Sequence, residues 1–217
     1  MMYVRGQIDN SDFLNGIQYL VSNDIISVGS HDEYDKKLIG SFDLSNAGPF
    51  EGKDDASYTI IMFSDHQCEK CVHWLSHEKK IITENLIELG IAKFVVVDYP
   101  MLGEDSMSAA EATYCAQDQG KYFEYLDLLN KRYAGVQNGW ASIDALIGYS
   151  KGLNLNFEKF DNCLFWDQQA LRVDFNKKVA LSHGVTGTPT FFIGDQKVVG
   201  PKPFKTFEKI IKEEFGI

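Results

Sequence analysis

This sequence predicts an α/β protein: one sheet layer interrupted by an all-helical insertion. Three observations predict it. Two β-rich apolar runs, "SYTIIMFS" at 57–64 and "IAKFVVVDYP" at 91–100, flank a stretch with helical spacing. A strand–helix–strand order of this length implies a crossover between parallel strands. From residue 104 to about 167 the pattern is helical throughout. The chain then returns to strands in "PTFFIG" and "KVVG", which form a hairpin around Gly194-Asp195, and closes on an amphipathic helix.

The elements follow in order. "DNSDFLNGIQYLVSNDIISV" places Phe13, Ile17, Leu20 and Val21 at helical spacing, with Asn10, Ser11 or Asp12 as cap, and then runs out as an extended "IISV". The next stretch, to residue 56, is polar, contains Gly and lacks a period, as a linker or wrapping segment does. After the first strand, Leu75, Ile82, Leu86 and Leu89 keep one helical face apolar until Gly90. In the helical block, "SAAEATYCAQDQ" is a good helix former and "KYFEYLDLLNKRY" aligns Phe123, Leu126, Leu129 and Tyr133. "SIDALIGYSKG" and "NFEKFDNCLF" are shorter helices, and a longer one ends near His183 and Gly184. The last helix turns Phe204, Phe207, Ile210, Ile211 and Phe215 inward. The expected parts are an N-terminal helical extension and linker (1–40), a sheet domain in two pieces (41–103 and 168–217) and the insertion (104–167). No internal repeat is visible.

Composition narrows the function. The chain has 217 residues, 44% of them apolar and 13% aromatic, enough to fill a core. A net charge of −10 argues against nucleic acid, whose binding needs clustered Lys and Arg, and reads as an acidic, solvated surface. No run reaches the roughly 18 apolar residues of a membrane helix. The first residues lack the apolar core of a signal peptide, so either the protein is cytosolic or a leader or anchor lies outside this sequence. Of four cysteines, Cys68 and Cys71 are close, and Cys115 and Cys163 are distant. A reactive dithiol with a structural bridge would favour an oxidising compartment, and two ordinary buried thiols in the distant pair would not.

"SDHQCEKCVHWLSH" carries the chemistry. Cys68 follows a strand and opens a helix, where unpaired N–H groups and the positive dipole end favour thiolate. Cys71, one turn on, is placed to resolve a mixed disulfide on an exposed Cys68. Cys68, Cys71, His73 and His77 are also zinc-ligand types. On one continuous helix, however, His73 lies about 200° around from Cys71 and His77 more than a turn further along, so the four cannot meet. Solvated helix surface is the simpler reading of both histidines. His66 is near enough to tune Cys68, or is a plain loop histidine. Downstream, Thr188-Pro189 directly precedes a strand, where proline is no routine central residue. A cis bond would offer the Thr188 backbone as a docking edge, and a trans proline in a loop is the ordinary alternative.

"FSDHQCEKC" at a strand–helix junction, "CAQDQGKYFEYLDLL" and "FDNCLF" in the insertion, and "GVTGTPTFFI" before the hairpin together resemble the thioredoxin superfamily. The closer resemblance is to the DsbA-like thiol–disulfide oxidoreductases with an inserted helical domain. It covers about residues 50–215. It implies a thioredoxin-like fold, Cys68 as nucleophile, Cys71 as resolving cysteine, Pro189 as a facing cis-proline with Thr188 at the substrate edge, and a structural Cys115–Cys163 disulfide. Three departures stand out. Glu69 and Lys70 occupy the positions between the cysteines where proline and an aromatic residue or histidine are usual, Lys70 favouring the Cys68 thiolate and Glu69 opposing it. Met62 stands where many members carry a buried acid, so a water or Asp65 would have to take that role. His66 replaces a common aromatic residue. Residues 9–28 resemble a helical module of secreted and membrane-attached proteins of ammonia-oxidising archaea.

The resemblance implies an extracytoplasmic oxidase that needs no cofactor, acts on client proteins with thiols or disulfides and is reset by a redox partner. A reductase or isomerase would use the same residues in the other direction. A structural zinc protein or a non-catalytic binding module on the same scaffold are the alternatives of other classes.

Overall fold

The structure is a computed structural model that describes residues 38–215, so the helix expected in 9–28 lies outside the described residues. The elements are β1 (Leu38–Ile39), β2 (Phe42–Asp43), β3 (Tyr58–Ser64), α1 (Glu69–Ile82), β4 (Ala92–Asp98), α2 (Glu104–Gln117), α3 (Tyr122–Arg132), α4 (Ile143–Ser150), α5 (Phe157–Phe165), α6 (Ala170–Ser182), β5 (Thr190–Ile193), β6 (Gln196–Val199) and α7 (Phe204–Phe215). β1 and β2 form a short antiparallel ribbon, and the other strands form one sheet in the order β4-β3-β5-β6. β3 runs parallel to β4, with Ser64 opposite Asp98, and antiparallel to β5, which makes a hairpin with β6.

β3 and β4 read as continuous apolar runs because both of their faces are covered. Alternation divides the side chains. Ile60, Met62, Phe94, Val96, Phe191 and Ile193 share a core with Trp74 and Leu75 of α1 and Phe207 and Ile211 of α7. Ile61, Phe63, Val95, Val97 and Phe192 pack instead with Val179 and Ala180 of α6 and with Phe42, Leu44 and Ala47. The aperiodic stretch before β3 therefore wraps the sheet. Arg172 of α6 pins it there, donating to the carbonyls of Asn46 (2.9 Å) and Ala47 (2.7 Å) while its guanidinium lies 3.8 Å from the Tyr114 ring centre. Gly48 allows the close approach: a Cβ there would stand 2.5 Å from the Tyr122 hydroxyl.

The insertion has a core of its own, and α2 belongs to both. Its Ala110 and Tyr114 face the sheet-side core, and Ala109, Ala112, Cys115 and Ala116 face the core shared with Tyr125, Leu129, Trp140, Leu146, Phe160 and Leu164. Small alanines let a helix be enclosed on two sides without voids. Cys115 of α2 and Cys163 of α5 are joined by a disulfide whose ends are 48 residues apart in sequence.

Two expected helical faces are corrected. α1 gives way to a π-helical turn at Thr83–Ile87. That wider turn shifts the phase, burying Ile87 and leaving Leu89 64% exposed. The buried face of α3 is Tyr122, Tyr125, Leu126 and Leu129, with Phe123 only half-buried and Tyr133 at the helix's C-terminal cap.

Two stability predictions follow from this packing. Replacing both Cys115 and Cys163 with Ala should lower unfolding free energy by roughly 4 kcal/mol, the chain-entropy value for such a loop, in urea titrations of otherwise identical protein. The second concerns Glu111 of α2, buried with its Oε2 unpartnered. Burial first, then the charges of Asp167 and Asp174, push its carboxyl from 4.5 up to about 7. The fold thus favours the neutral form, so this contribution is full below the unfolded value and is lost as pH rises toward 7. Glu111→Gln should remove that decline and be more stable than the native protein at pH 8 by roughly 2 kcal/mol.

Candidate active site

β3 ends at Ser64, the chain turns through 65–67, and Cys68 is the N-cap of α1. Its Sγ accepts the Cys71 N–H at 3.3 Å, where a serine or aspartate oxygen would ordinarily satisfy the helix start. The same sulfur lies 3.4 Å from the Thr188 carbonyl, to which the thiol donates. The Thr188-Pro189 bond is cis, and β5 begins at the next residue. Cys68 and Cys71 are free thiols. Cys71 is fully buried and Cys68 is 8% accessible, so the reactive position is a narrow opening rather than the exposed thiol expected.

Their acidities part. The Cys68 thiol is lowered from 9.0 to about 6, first by a hydrogen bond from the Cys71 thiol, with further help from the Thr188 side chain and the Cys71 N–H; burial and the Asp65 charge oppose this. Burial, then the neighbouring Cys68, push the Cys71 thiol strongly upward. One sulfur is set to ionise and the other to keep its proton.

The turn before Cys68 is tied down by polar groups. Asp65, 1% exposed, accepts from the backbone N–H of Gln67 (2.7 Å), Met101 (2.6 Å) and Leu102 (3.0 Å) and from the Ser106 hydroxyl (2.7 Å). Gln67, wholly buried, donates to Ser106 Oγ (2.9 Å) and to the Leu102 carbonyl (3.3 Å), and accepts from the Gln137 N–H at 2.5 Å. His66 turns inward, its Nε2 2.9 Å from Asp98 Oδ1. Burial alone would lower its pKa, but the neighbouring Asp98 carboxylate raises it overall.

Of the residues singled out from sequence, the structure brings together Cys68, Cys71 and Thr188, with Pro189 next along the chain. Glu69 and Lys70 are exposed, where water and salt screen their charge. The carboxylate opposing the Cys68 thiolate is the buried Asp65, while Glu69 acts on Tyr133. His73 and His77 stack on the exposed face of α1 with ring centres 4.4 Å apart, away from buried Cys71. Among the described residues no group of three or more His, Cys, Asp or Glu side chains is placed to hold a metal ion. Met62 is fully buried in the sheet core, and the acid on that face is Asp98, one strand over. Sequence reasoning passed over Gln67, Asp98, Ser106 and Gln137. The Asn138-Gly139 turn signal beside Gln137 marks that loop, but nothing in sequence places it against residue 67.

The family model described as Thioredoxin matches residues 45–213, and the chain belongs to that family. Among curated relatives, Disulfide bond formation protein D of Bacillus subtilis is 24% identical over 173 residues, 76% of either chain. The Na(+)/H(+) antiporter NhaA of Herminiimonas arsenicoxydans is 26% identical over 161 residues, 74% of this chain and 24% of that one. The chain thus spans about a quarter of the antiporter's length. The structure of oxidised BdbD from Bacillus subtilis superposes with a TM-score of 0.75 at 21% identity, over 81% of this chain and 96% of that one. These relatives are bacterial; the archaeal resemblance falls on residues outside those described. No helix among the described residues is long and apolar enough to cross a membrane.

A pH prediction comes from the two thiols. Cys68 has a folded value below its unfolded one, so its contribution is present above about pH 9 and is lost as pH falls toward 6. Cys71 is shifted the other way and subtracts stability once unfolded cysteine ionises. In urea titrations of the reduced protein the part of the stability set by Cys68 should therefore rise between pH 6 and 9, offset by the Glu111 decline up to about pH 7, and stability should fall above 9. Cys68→Ala should lack the rise.

Proposed function

We propose that this protein is a thiol–disulfide oxidoreductase that oxidises client proteins outside the cytoplasm through the Cys68–Cys71 pair. The observation that carries the reading is the divided acidity of the two sulfurs at the N-cap of α1. In the oxidised protein a client thiolate attacks Cys68 Sγ, the Cys68–Cys71 bond breaks, and the buried Cys71 leaves and takes up a proton. A second client thiolate then attacks the client sulfur of the mixed disulfide and expels Cys68 as a thiolate. The client loses two electrons and two protons: the reduced pair holds both electrons and, on Cys71, one proton, the other passes to solvent, and a redox partner later removes the electrons. Leaving is fast from a low-pKa sulfur, and stabilising the reduced form makes the disulfide an oxidant. Because Cys71 holds its proton, return attack on Cys68 is slow, and the client's second thiol has time to act.

Thr188 supports the client-binding side of this reading, since its backbone faces Cys68 across the opening. The Cys115–Cys163 disulfide supports an oxidising compartment. The relatives named for disulfide bond formation support the same direction.

Cys71→Ser should accumulate mixed disulfides with client proteins that carry a disulfide, its Cys68 thiolate attacking one client sulfur and displacing the other as a thiolate, and Cys68→Ser should form none, as read by non-reducing gels and mass spectrometry. Equilibration with a glutathione buffer should leave the native dithiol mainly reduced. A pair that stays oxidised there would make the protein a reductase instead.

A further inference from the structure

We propose that Asp65 is a positioning residue that fixes the redox loop to the start of the helical insertion, and that Gln137 latches loop 134–139 onto the same loop through Gln67. The proposal rests on the reading of Cys68 as the reactive thiol. Each oxygen of the Asp65 carboxylate takes two donors: the Gln67 N–H and Ser106 hydroxyl on one, the Met101 and Leu102 N–H groups on the other. These come from three segments: the redox loop, the turn after β4 and the first turn of α2. The Asp65 carbonyl also accepts the Cys68 N–H at 3.0 Å, so the carboxylate's placement is passed directly to the reactive residue.

The charge of Asp65 works against an anion at Cys68. A group that opposes the site's chemistry yet is buried there with four donors is explained by position. An asparagine would offer one acceptor oxygen to four donors and turn an N–H₂ toward two of them.

Gln137 extends the arrangement. It adopts a left-handed conformation (φ 53°), which costs about 1 kcal/mol or more for a residue with a side chain and is held by surrounding bonds. Its N–H donates to Gln67 Oε1 and its side-chain amide to the Leu102 carbonyl at 3.1 Å. That amide lies over Gly103 (φ 108°), where any Cβ would collide with it. The insertion loop therefore reaches Asp65 through Gln67 and Ser106.

Three variants of the full chain test this: Asp65→Asn, which removes the charge, and Ser106→Ala and Gln67→Leu, which keep it and weaken the clamp, the latter by removing the acceptor of the Gln137 N–H. The readouts are the Cys68 titration, by ultraviolet thiolate absorbance, and amide hydrogen exchange at residues 67, 68, 101 and 102. Asp65→Asn should lower the Cys68 midpoint by about half a unit to one unit and speed exchange at all four amides. Ser106→Ala and Gln67→Leu should leave the midpoint in place and speed exchange at residue 67 by about tenfold. An Asp65→Asn midpoint that is unchanged or raised, or unchanged exchange in the two clamp variants, overturns the proposal. If Asp65→Asn does not fold, exchange in the two clamp variants decides. Neither readout uses a client, so failure of the native protein to oxidise clients would sink the proposed function while leaving this test intact.

Discussion

The bond from the Cys71 N–H to Cys68 Sγ joins helix formation to redox chemistry. A helix start leaves N–H groups that need an acceptor. A neutral thiol accepts weakly and a thiolate strongly, so α1 is best capped when Cys68 is reduced and ionised. Joining the two sulfurs removes that anion. The oxidised protein thus has the poorer helix start, and passing the disulfide to a client restores the better one. The rest of the molecule serves this geometry. β3 delivers the chain to the right point, α1 carries Cys71 into the core, and the segment before β5 brings Thr188 across the opening.

β3 and β4 were legible because burial on both faces forces unbroken apolar runs, and the hairpin because Gly194-Asp195 separates two short strand-forming stretches; the β1–β2 ribbon, in a stretch that reads as linker, was not. The four helices of the insertion were legible as helices from composition and rough spacing, though the buried face of α3 was not. Where the reading slipped, the cause was local. The π-helical turn at Thr83–Ile87 changes the phase that a constant period assumes, and Leu89 was placed inside for that reason. The wrapping of residues 42–48 depends on Arg172, about 125 positions away, and no local pattern reports it.

The site divides in the same way. Cys68, Cys71, Thr188 and Pro189 were legible because their chemistry needs those residue types beside a strand end. Gln67 and Gln137 were not, since two amides look like ordinary loop polarity until their partners are known, and Asp65 was singled out only as a stand-in acid, its four donors being out of sight. Glu69 drew attention by lying between the cysteines, yet solvent weakens it, and the buried charge at Asp65 has the stronger effect on the sulfur.

The covalent link between α2 and α5 closes a ring that includes α3, α4 and the exposed loop 134–139. A protease that cuts once in that loop therefore makes no free fragment. Both new ends stay bound through Cys115 and Cys163, and α2 remains held between its two cores. The insertion can thus be nicked there without being shed.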